Sequence, residues 1–277
     1  MVELNLGHTP DADDAFMFYG IASGKVSSRA FEIKHTIEDI ETLNKRAIAH
    51  ELDVTAISAH TYAYIKKYVI LRCGASFGLN YGPVIISKKR LTIAELHSAT
   101  IAIPGRMTSA YLISRIAVGS YAYREMPFHL IPSAVENGEV DAGLLIHEGQ
   151  ITFDRFGLLK VLDLGSWWNT NTDGLAVPLG INVASSETMS DTQIKQFEDL
   201  LTSSIRYGLD HFDDALDYAM TYSRGQTRDV IGKFVMMYVN RLTVDMGVEG
   251  LSSIQKMFKM ASDQGILTQN TSGLISV

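Results

Sequence analysis

A histidine follows a short apolar segment in the sequence GLLIHEG, residues 143–149. Residues 143–146 are typical of the end of a buried strand, so we expect His147 where that strand leaves its sheet. Open α/β sheets bind their ligands at this edge. Imidazole titrates near neutral pH, which makes His147 a candidate general base, whereas most histidines in such positions have only a structural hydrogen bond.

A second candidate site lies in PGRMTSAYLISRI, residues 104–116. This pattern predicts a strand end, a glycine turn and a helix that begins at Thr108 or Ser109. The N–H groups of a helix start, its dipole and the two hydroxyls could together bind a carboxylate. In the alternative interpretation Thr108 is only the N-cap of the helix.

Three carboxylates, Asp11, Asp13 and Asp14, precede an apolar helical stretch in HTPDADDAF. Such a cluster could bind a metal ion, but aspartates at an N-cap and in a first helical turn are the more common reason for it. The sequence therefore predicts no metal site here. His8, which follows the strand at residues 2–6, is a candidate substrate-binding residue.

Length and charge limit the possible function classes. With 277 residues the chain is long enough for two domains or one large α/β unit. The net charge of −7, with no basic run longer than SKKR at residues 87–90, argues against nucleic-acid binding. One cysteine excludes an intrachain disulfide, and no Cys/His cluster has the spacing of metal ligands. An anionic ligand must therefore be bound by local donors.

The N-terminal residues begin a strand at once and have neither the basic region nor the apolar core of a signal peptide. No run of about 18 apolar residues is present. These patterns predict a cytoplasmic protein with no membrane partner.

Strand-like and helical segments alternate along the first 185 residues, which is typical of an α/β protein. The predicted strands are residues 2–6, 53–58, 83–87, 100–104, 141–146 and 175–185. The predicted helices are residues 14–23, 39–49, 59–67, 92–97, 108–120, 132–137, 191–209, 212–222, 227–239 and 247–264. Residues 167–180 are expected to be a polar stretch that leads back into a strand.

Two passages, residues 49–60 and 136–149, are similar to each other: a helix end, an acidic residue, an Asp, an apolar strand and a polar end. They suggest two α/β lobes that face one cleft, with Ser58 or His60 on one wall and His147 on the other. We expect lobe one at residues 1–84 plus 178–277 and lobe two at 85–177. By analogy, this layout is a type II periplasmic-binding-protein-like fold with three-layer α/β/α lobes and a helical C-terminal region.

With these residues in view, the chain resembles the 1,4-dihydroxy-6-naphthoate synthase family of the futalosine route to menaquinone. The motifs that carry the resemblance span most of the first 180 residues in order: TPDADDAFMFY (9–19), DIETLN (39–44), DVTAIS (53–58), IPGRMTSAYL (103–112), LIHEGQITF (145–153) and DLGSWWNTNTDGLAVPLG (163–180). The last two motifs are specific.

The resemblance implies a two-lobed binding-protein fold that acts as a carbon–carbon lyase on cyclic dehypoxanthine futalosine, a small-molecule carboxylate. It implies that His147 is the base and that two segments contact the substrate: Thr55, Ala56, Ile57 and Ser58 in one, and Thr108, Ser109 and Ala110 in the other. The reaction needs a base and no cofactor, and the sequence contains no glycine-rich dinucleotide or phosphate motif. The chain departs from the family at residues 9–14, where many members have Ser-Pro-Cys-Pro-Asn-Asp.

Two other functions remain open at this stage. A solute-binding protein for a small carboxylate would share the fold without catalysis, although the missing signal peptide argues against it. Chorismate dehydratase, an earlier enzyme of the same pathway, has a related fold, but the HEGQITF and LGSWWN segments resemble it less.

Overall fold

The computed structural model describes residues 1–269, 271 and 273–275. It is a mixed α/β structure, as predicted, and divides into two compact units. Unit 1 contains Met1–Phe77 and Gly180–Val248, and unit 2 contains Gly78–Leu179 and Glu249–Val277.

The C-terminal segment belongs to unit 2, whereas the sequence assigned it to the first lobe. Two hydrogen bonds explain the grouping: Ser253 donates to the carbonyl of Ala176, and the Gln264 amide donates to the carbonyl of Ile116. Both acceptors lie in unit 2.

The strands include every one that the sequence predicted. Their bounds are β1 Val2–His8, β2 Phe31–Ile37, β3 Val54–Ser58, β4 Tyr68–Ile70, β5 Ser76–Gly78, β6 Val84–Ser87, β7 Thr100–Ile103, β8 Ala122–Glu125, β9 Ala142–Leu145, β10 Leu159–Asp163 and β11 Val177–Ser185.

The helices dominate the chain after residue 190, also as predicted. Their bounds are α1 Ala12–Ala22, α2 Ile40–Ile48, α3 Ile93–Leu96, α4 Ser109–Val118, α5 Ile131–Glu136, α6 Leu164–Asn171, α7 Asp191–Asp210, α8 Phe212–Met220, α9 Arg228–Tyr238, α10 Arg241–Val244 and α11 Gly247–Asp263. No helix among the described residues is long and apolar enough to span a bilayer.

The sheet of unit 1 has the strand order β2-β1-β3-β11-β4. Strands β2, β1 and β3 are parallel, so their carboxyl ends lie at one edge of the sheet. Strand β11 returns antiparallel to β3 and pairs Asn182 with Ala56. Helix α2 packs against β1 and β3, while α1 packs against α7 and α8.

The sheet of unit 2 repeats this arrangement in the order β8-β7-β9-β6-β10. Strands β8, β7 and β9 are parallel, and β6 is antiparallel to β9. Strand β9 therefore occupies in unit 2 the place that β3 occupies in unit 1. These are the two strands within the similar passages 49–60 and 136–149. Ser58 therefore ends β3, and His147 follows the equivalent strand β9.

Strands β2, β4, β5, β8 and β10 were not predicted. Two segments that the sequence did assign also differ from the prediction. Residues 59–67 were expected to be a helix, but only Ala59–Tyr64 is helical, and it is a 3₁₀ helix. Residues 167–180 were expected to be a polar stretch that leads back into a strand, with no helix assigned, but helix α6 contains both tryptophans. The Asp163 carboxylate starts α6 because it accepts hydrogen bonds from the N–H groups of Gly165 and Ser166.

Gly165 allows the first turn of α6 to touch another part of the backbone. A Cβ at this position would overlap the backbone of Tyr81 and Gly82. The Ser166 hydroxyl donates to the carbonyl of Asn80 and holds the same contact. The LGSWW motif thus contains a glycine because α6 packs directly on residues 80–82.

We expect Gly165→Ala to lower the free energy of unfolding by about 2 kcal/mol or more, because the new methyl group must displace backbone. Alanine has the higher helix propensity, so a loss of stability can come only from this contact. Gly232→Ala in α9 is the control, because its Cβ would meet only Leu216 Cδ2 at 3.4 Å. Urea denaturation of both variants measures the difference, and equal stability of the two would contradict the packing argument.

Candidate active-site residues at the carboxyl ends of the strands

His147 follows β9 in the middle of the unit 2 sheet. Strand β9 lies between β6 and β7. Gly143 lets helix α5 pack closely on this strand, since a Cβ there would lie 2.5 Å from Ile131 Cγ2 and 2.9 Å from Val135 Cγ2. Strand β9, which His147 follows, is therefore held by β6 and β7 at its two edges and by helix α5 on one face.

The backbone of His147 has φ of +56°, in the left-handed region that residues other than glycine rarely adopt. It begins a 3₁₀ helix, His147–Ile151, directly after the strand. The imidazole is half-buried, and its ring centroid lies 4.6 Å from that of Phe128 at an angle of 66°. Strained backbone of this kind is concentrated at functional sites. The geometry therefore supports a role for this side chain beyond packing.

The predicted carboxylate site at the start of α4 has a different set of donors from the one expected. The Thr108 hydroxyl accepts a hydrogen bond from Tyr111 N–H and donates to the carbonyl of Gly105, at 3.2 and 2.8 Å. The Ser109 hydroxyl donates to the carbonyl of Leu179 at 2.6 Å. The interpretation of Thr108 as an N-cap is thus confirmed, and donors for an anion would be the first-turn N–H groups of Ser109 and Ala110.

Helix α1 occupies the equivalent place in unit 1, after β1, but its start has the opposite electrostatic character. Asp13 and Asp14 lie in its first turn, whereas the first turn of α4 contains no acidic residue. A helix start that already carries carboxylates repels a further anion. Of these two helix starts, only that of α4 suits a carboxylate ligand.

The three acids near α1 each have a partner within unit 1. Asp11 forms an ion pair with Arg224, with 2.8 Å between Oδ1 and Nη2. Asp13 accepts from the Ser76 hydroxyl at 2.8 Å. Asp14 accepts from both the N–H and the hydroxyl of Thr9, each at 2.8 Å. The cluster therefore serves local contacts.

Asp11 is the N-cap residue of α1, as predicted, but its side chain makes no capping hydrogen bond. Pairing with Arg224 explains this, because the carboxylate turns toward the guanidinium. Among the described residues, no group of three or more His, Cys, Asp and Glu side chains is placed to bind a metal ion.

Burial raises the pKa of Asp14 to about 8, and the nearby Asp13 charge adds to this effect. Burial likewise lowers the pKa of His8 to about 4, so this imidazole is neutral at pH 7. His8 Nδ1 must donate to the carbonyl of Thr9, which leaves Nε2 to accept from His35 Nδ1; both distances are 3.1 Å. The His8 ring also stacks on Phe18. These contacts use both nitrogens of His8 within the unit.

The segment Thr55–Ser58 lies in β3, and its members differ in what they can offer a ligand. Thr55, Ala56 and Ile57 are buried, and the Thr55 hydroxyl donates to the carbonyl of Ala56. Ser58 ends the strand and contacts the side chain of Asn44 on α2 twice. Asn44 was not among the predicted site residues, although it lies in the DIETLN motif.

A sequence profile of the menaquinone biosynthesis family matches residues 4–263 of the chain. The chain belongs to this family. Two proteins with the name 1,4-dihydroxy-6-naphthoate synthase, the family that the motifs indicated, are similar to the chain over nearly their full length. The protein from Thermus thermophilus is 34% identical and the alignment covers 96% of each chain. The protein from Streptomyces coelicolor is 31% identical, with 95% of this chain and 94% of that chain covered.

Solved structures confirm the fold of this menaquinone biosynthesis family member. A crystal structure of an Archaeoglobus fulgidus protein has a TM-score of 0.91 at 45% identity, and covers 96% of this chain and 98% of that one. A Candida albicans protein described as having the generic periplasmic binding protein fold has a TM-score of 0.74 at 12% identity, over 99% of this chain and 94% of that one. The second likeness shows the fold alone, and that fold is the one the sequence predicted.

The raised pKa of Asp14 makes stability depend on pH. The ordinary pKa of an aspartate is near 4, and that of Asp14 in the folded protein is about 8. Between these two pH values the folded state binds one more proton than the unfolded state. Stability should therefore fall as the pH rises from 5 to 8, and Asp14→Asn should reduce that fall by at least about 1 kcal/mol. Urea denaturation at the two pH values measures it. Asp154→Asn, at an exposed carboxyl, is the control, and a D14N slope equal to that of the wild type would refute the assignment.

Proposed function

We propose that the protein converts cyclic dehypoxanthine futalosine to 1,4-dihydroxy-6-naphthoate, with His147 as the base. Membership of the menaquinone biosynthesis family and two relatives named for this synthase activity support the reaction. The observation that carries the role of His147 is its place after β9, with a left-handed backbone and a half-buried ring.

The reaction chemistry fits an imidazole base. Removal of a proton beside a carbonyl places a negative charge on the carbonyl oxygen. Cleavage of a carbon–carbon bond then releases the ring system as the dihydroxynaphthoate and the rest of the carbon skeleton as a second product, and the protonated imidazole returns its proton to complete the turnover. A base within reach of the acidic C–H bond is the main requirement. The edge-to-face contact with Phe128 supports the ring of His147 on one side.

The substrate carboxylate would bind at the start of α4. The net charge of −7 gives no general attraction for an anion, so local donors must supply it. The first-turn N–H groups of Ser109 and Ala110 are held in place, because Thr108 caps the helix and Ser109 is tied to Leu179. Ser58 would donate to a second oxygen of the substrate.

One incubation separates this proposal from the other two functions. The purified protein is mixed with cyclic dehypoxanthine futalosine or with chorismate, and the product is followed by absorbance and chromatography. Dihydroxynaphthoate from the first substrate alone supports the proposal. Turnover of chorismate alone would assign the dehydratase reaction, and binding without turnover would leave a solute-binding function.

We expect His147→Gln to fold normally and to lose about 10²- to 10⁴-fold in kcat, because a positioned general base contributes that much. Gln has a similar shape and cannot take up a proton at neutral pH. Steady-state kinetics and circular dichroism measure the two quantities. His129→Gln, at an exposed residue outside the proposed site, should keep wild-type kcat. An H147Q enzyme as fast as H129Q would remove His147 from the mechanism.

We expect Thr108→Asp to weaken binding of 1,4-dihydroxy-6-naphthoate about tenfold relative to Thr108→Asn, because the two caps differ mainly in charge. The added carboxylate lies at the helix start and repels the ligand carboxylate. Titration with the product, and with 1,4-dihydroxynaphthalene as a ligand without a carboxylate, measures the effect. An equal penalty for both ligands would place the carboxylate elsewhere.

A further inference from the structure

Asn44 and Ser58 form a pair of hydrogen bonds in the interior of unit 1. Ser58 N–H donates to Asn44 Oδ1 at 2.8 Å, and Asn44 Nδ2 lies 3.1 Å from Ser58 Oγ. Asn44 has no exposed surface and Ser58 is 3% exposed. Water therefore does not compete for these groups, and the amide of Asn44 has one defined environment.

The chemistry of the pair fixes the direction of both hydrogen bonds. A backbone N–H can only donate, so the Asn44 atom that faces it must be the oxygen. The other amide atom is then the nitrogen, which can only donate, so Ser58 Oγ must accept. The single hydroxyl proton of Ser58 is left to point away from Asn44. Among the described residues, the Ser58 hydroxyl accepts from Asn44 and donates no hydrogen bond within the protein.

We propose that Asn44 is a positioning residue, which orients the Ser58 hydroxyl as a hydrogen-bond donor to an oxygen of the substrate. The inference rests on the proposed function, since it requires Ser58 to contact substrate. Asn44 acts through Ser58 and does not touch the substrate itself. A ligand hydrogen bond from a hydroxyl with a fixed proton gains affinity, because no rotation has to be lost on binding.

Asn44→Asp tests the direction of the hydrogen bonds while it keeps the shape of the side chain. The aspartate still accepts from Ser58 N–H, but its second oxygen now also accepts. The Ser58 hydroxyl must turn to donate to it, and its lone pairs then face the substrate oxygen. KM should rise about tenfold or more, which is the effect of losing a hydrogen bond to a charged or polar ligand group, while kcat changes less.

The double variant shows whether Asn44 acts only through Ser58. Ser58→Ala should raise KM to a similar extent, and Asn44→Asp should add nothing to KM in the Ser58→Ala background. If Asn44 had only a structural role, Asn44→Asp would lower stability in both the wild-type and the Ser58→Ala background, and its effect on KM would not disappear in the Ser58→Ala background. Asn44→Ala, which adds no buried charge, is the second variant if N44D fails to fold, and it should also raise KM only when Ser58 is present.

Asn182→Asp is the control for a new buried carboxylate in the same unit. Asn182 is 1% exposed, lies in β11 and donates to the carbonyl of Gly74 at 2.7 Å. It should lose stability and keep wild-type KM.

Wild-type turnover is measured first, so that failure of the proposed function is seen separately. With an active wild type, an unchanged KM in the folded Asn44 variants, or an additive rise in the double variant, would overturn the positioning role.

Discussion

Parallel pairing of three neighbouring strands is the constraint on which the rest of the structure depends. Because β1 and β3 run in one direction, the segments that follow them emerge at the same edge of the first sheet. The same holds for β7 and β9 in the second sheet. Each antiparallel return strand, β11 or β6, completes its sheet without moving those ends. The polar residues at 8–14, 58, 108–110 and 147 owe their positions to this pairing.

The start of a helix acquires its chemical character from very few residues. At the start of α4 the hydroxyls of Thr108 and Ser109 donate hydrogen bonds to backbone carbonyls, and these bonds fix the conformation of the first helical turn. At the start of α1, the N-cap Asp11 pairs with Arg224, and the first-turn acids Asp13 and Asp14 accept from Ser76 and Thr9. The two helix starts are equivalent in topology, but only that of α1 carries acidic side chains in its first turn. A repeated framework thus provides two distinct surfaces through side-chain choice alone.

The sequence predicted the central strands well because they are apolar runs buried inside the sheets. It did not predict β8, whose four residues are all exposed and show no apolar pattern; its place is set by backbone pairing with β7. Helix α6 was missed because its signal is the Asp163 cap, four residues before an aromatic pair that hides the helical pattern. Asn44 could not be found from a pattern, since its role comes from contact with a strand end fourteen residues away.

The division of the chain has a consequence for the order of folding. The strands of the second sheet lie within one continuous stretch, from Val84 to Asp163. The first sheet needs β11 between β3 and β4, with Ala184 opposite Val54, so it cannot close until the chain has passed through the whole of the second sheet. Contacts between distant residues form slowly because a long loop must close first. During synthesis from the N-terminus, β3 therefore has an unpaired edge until the second sheet has formed and β11 is made. An unpaired strand edge can pair with another chain, so this edge is open to aggregation during that time.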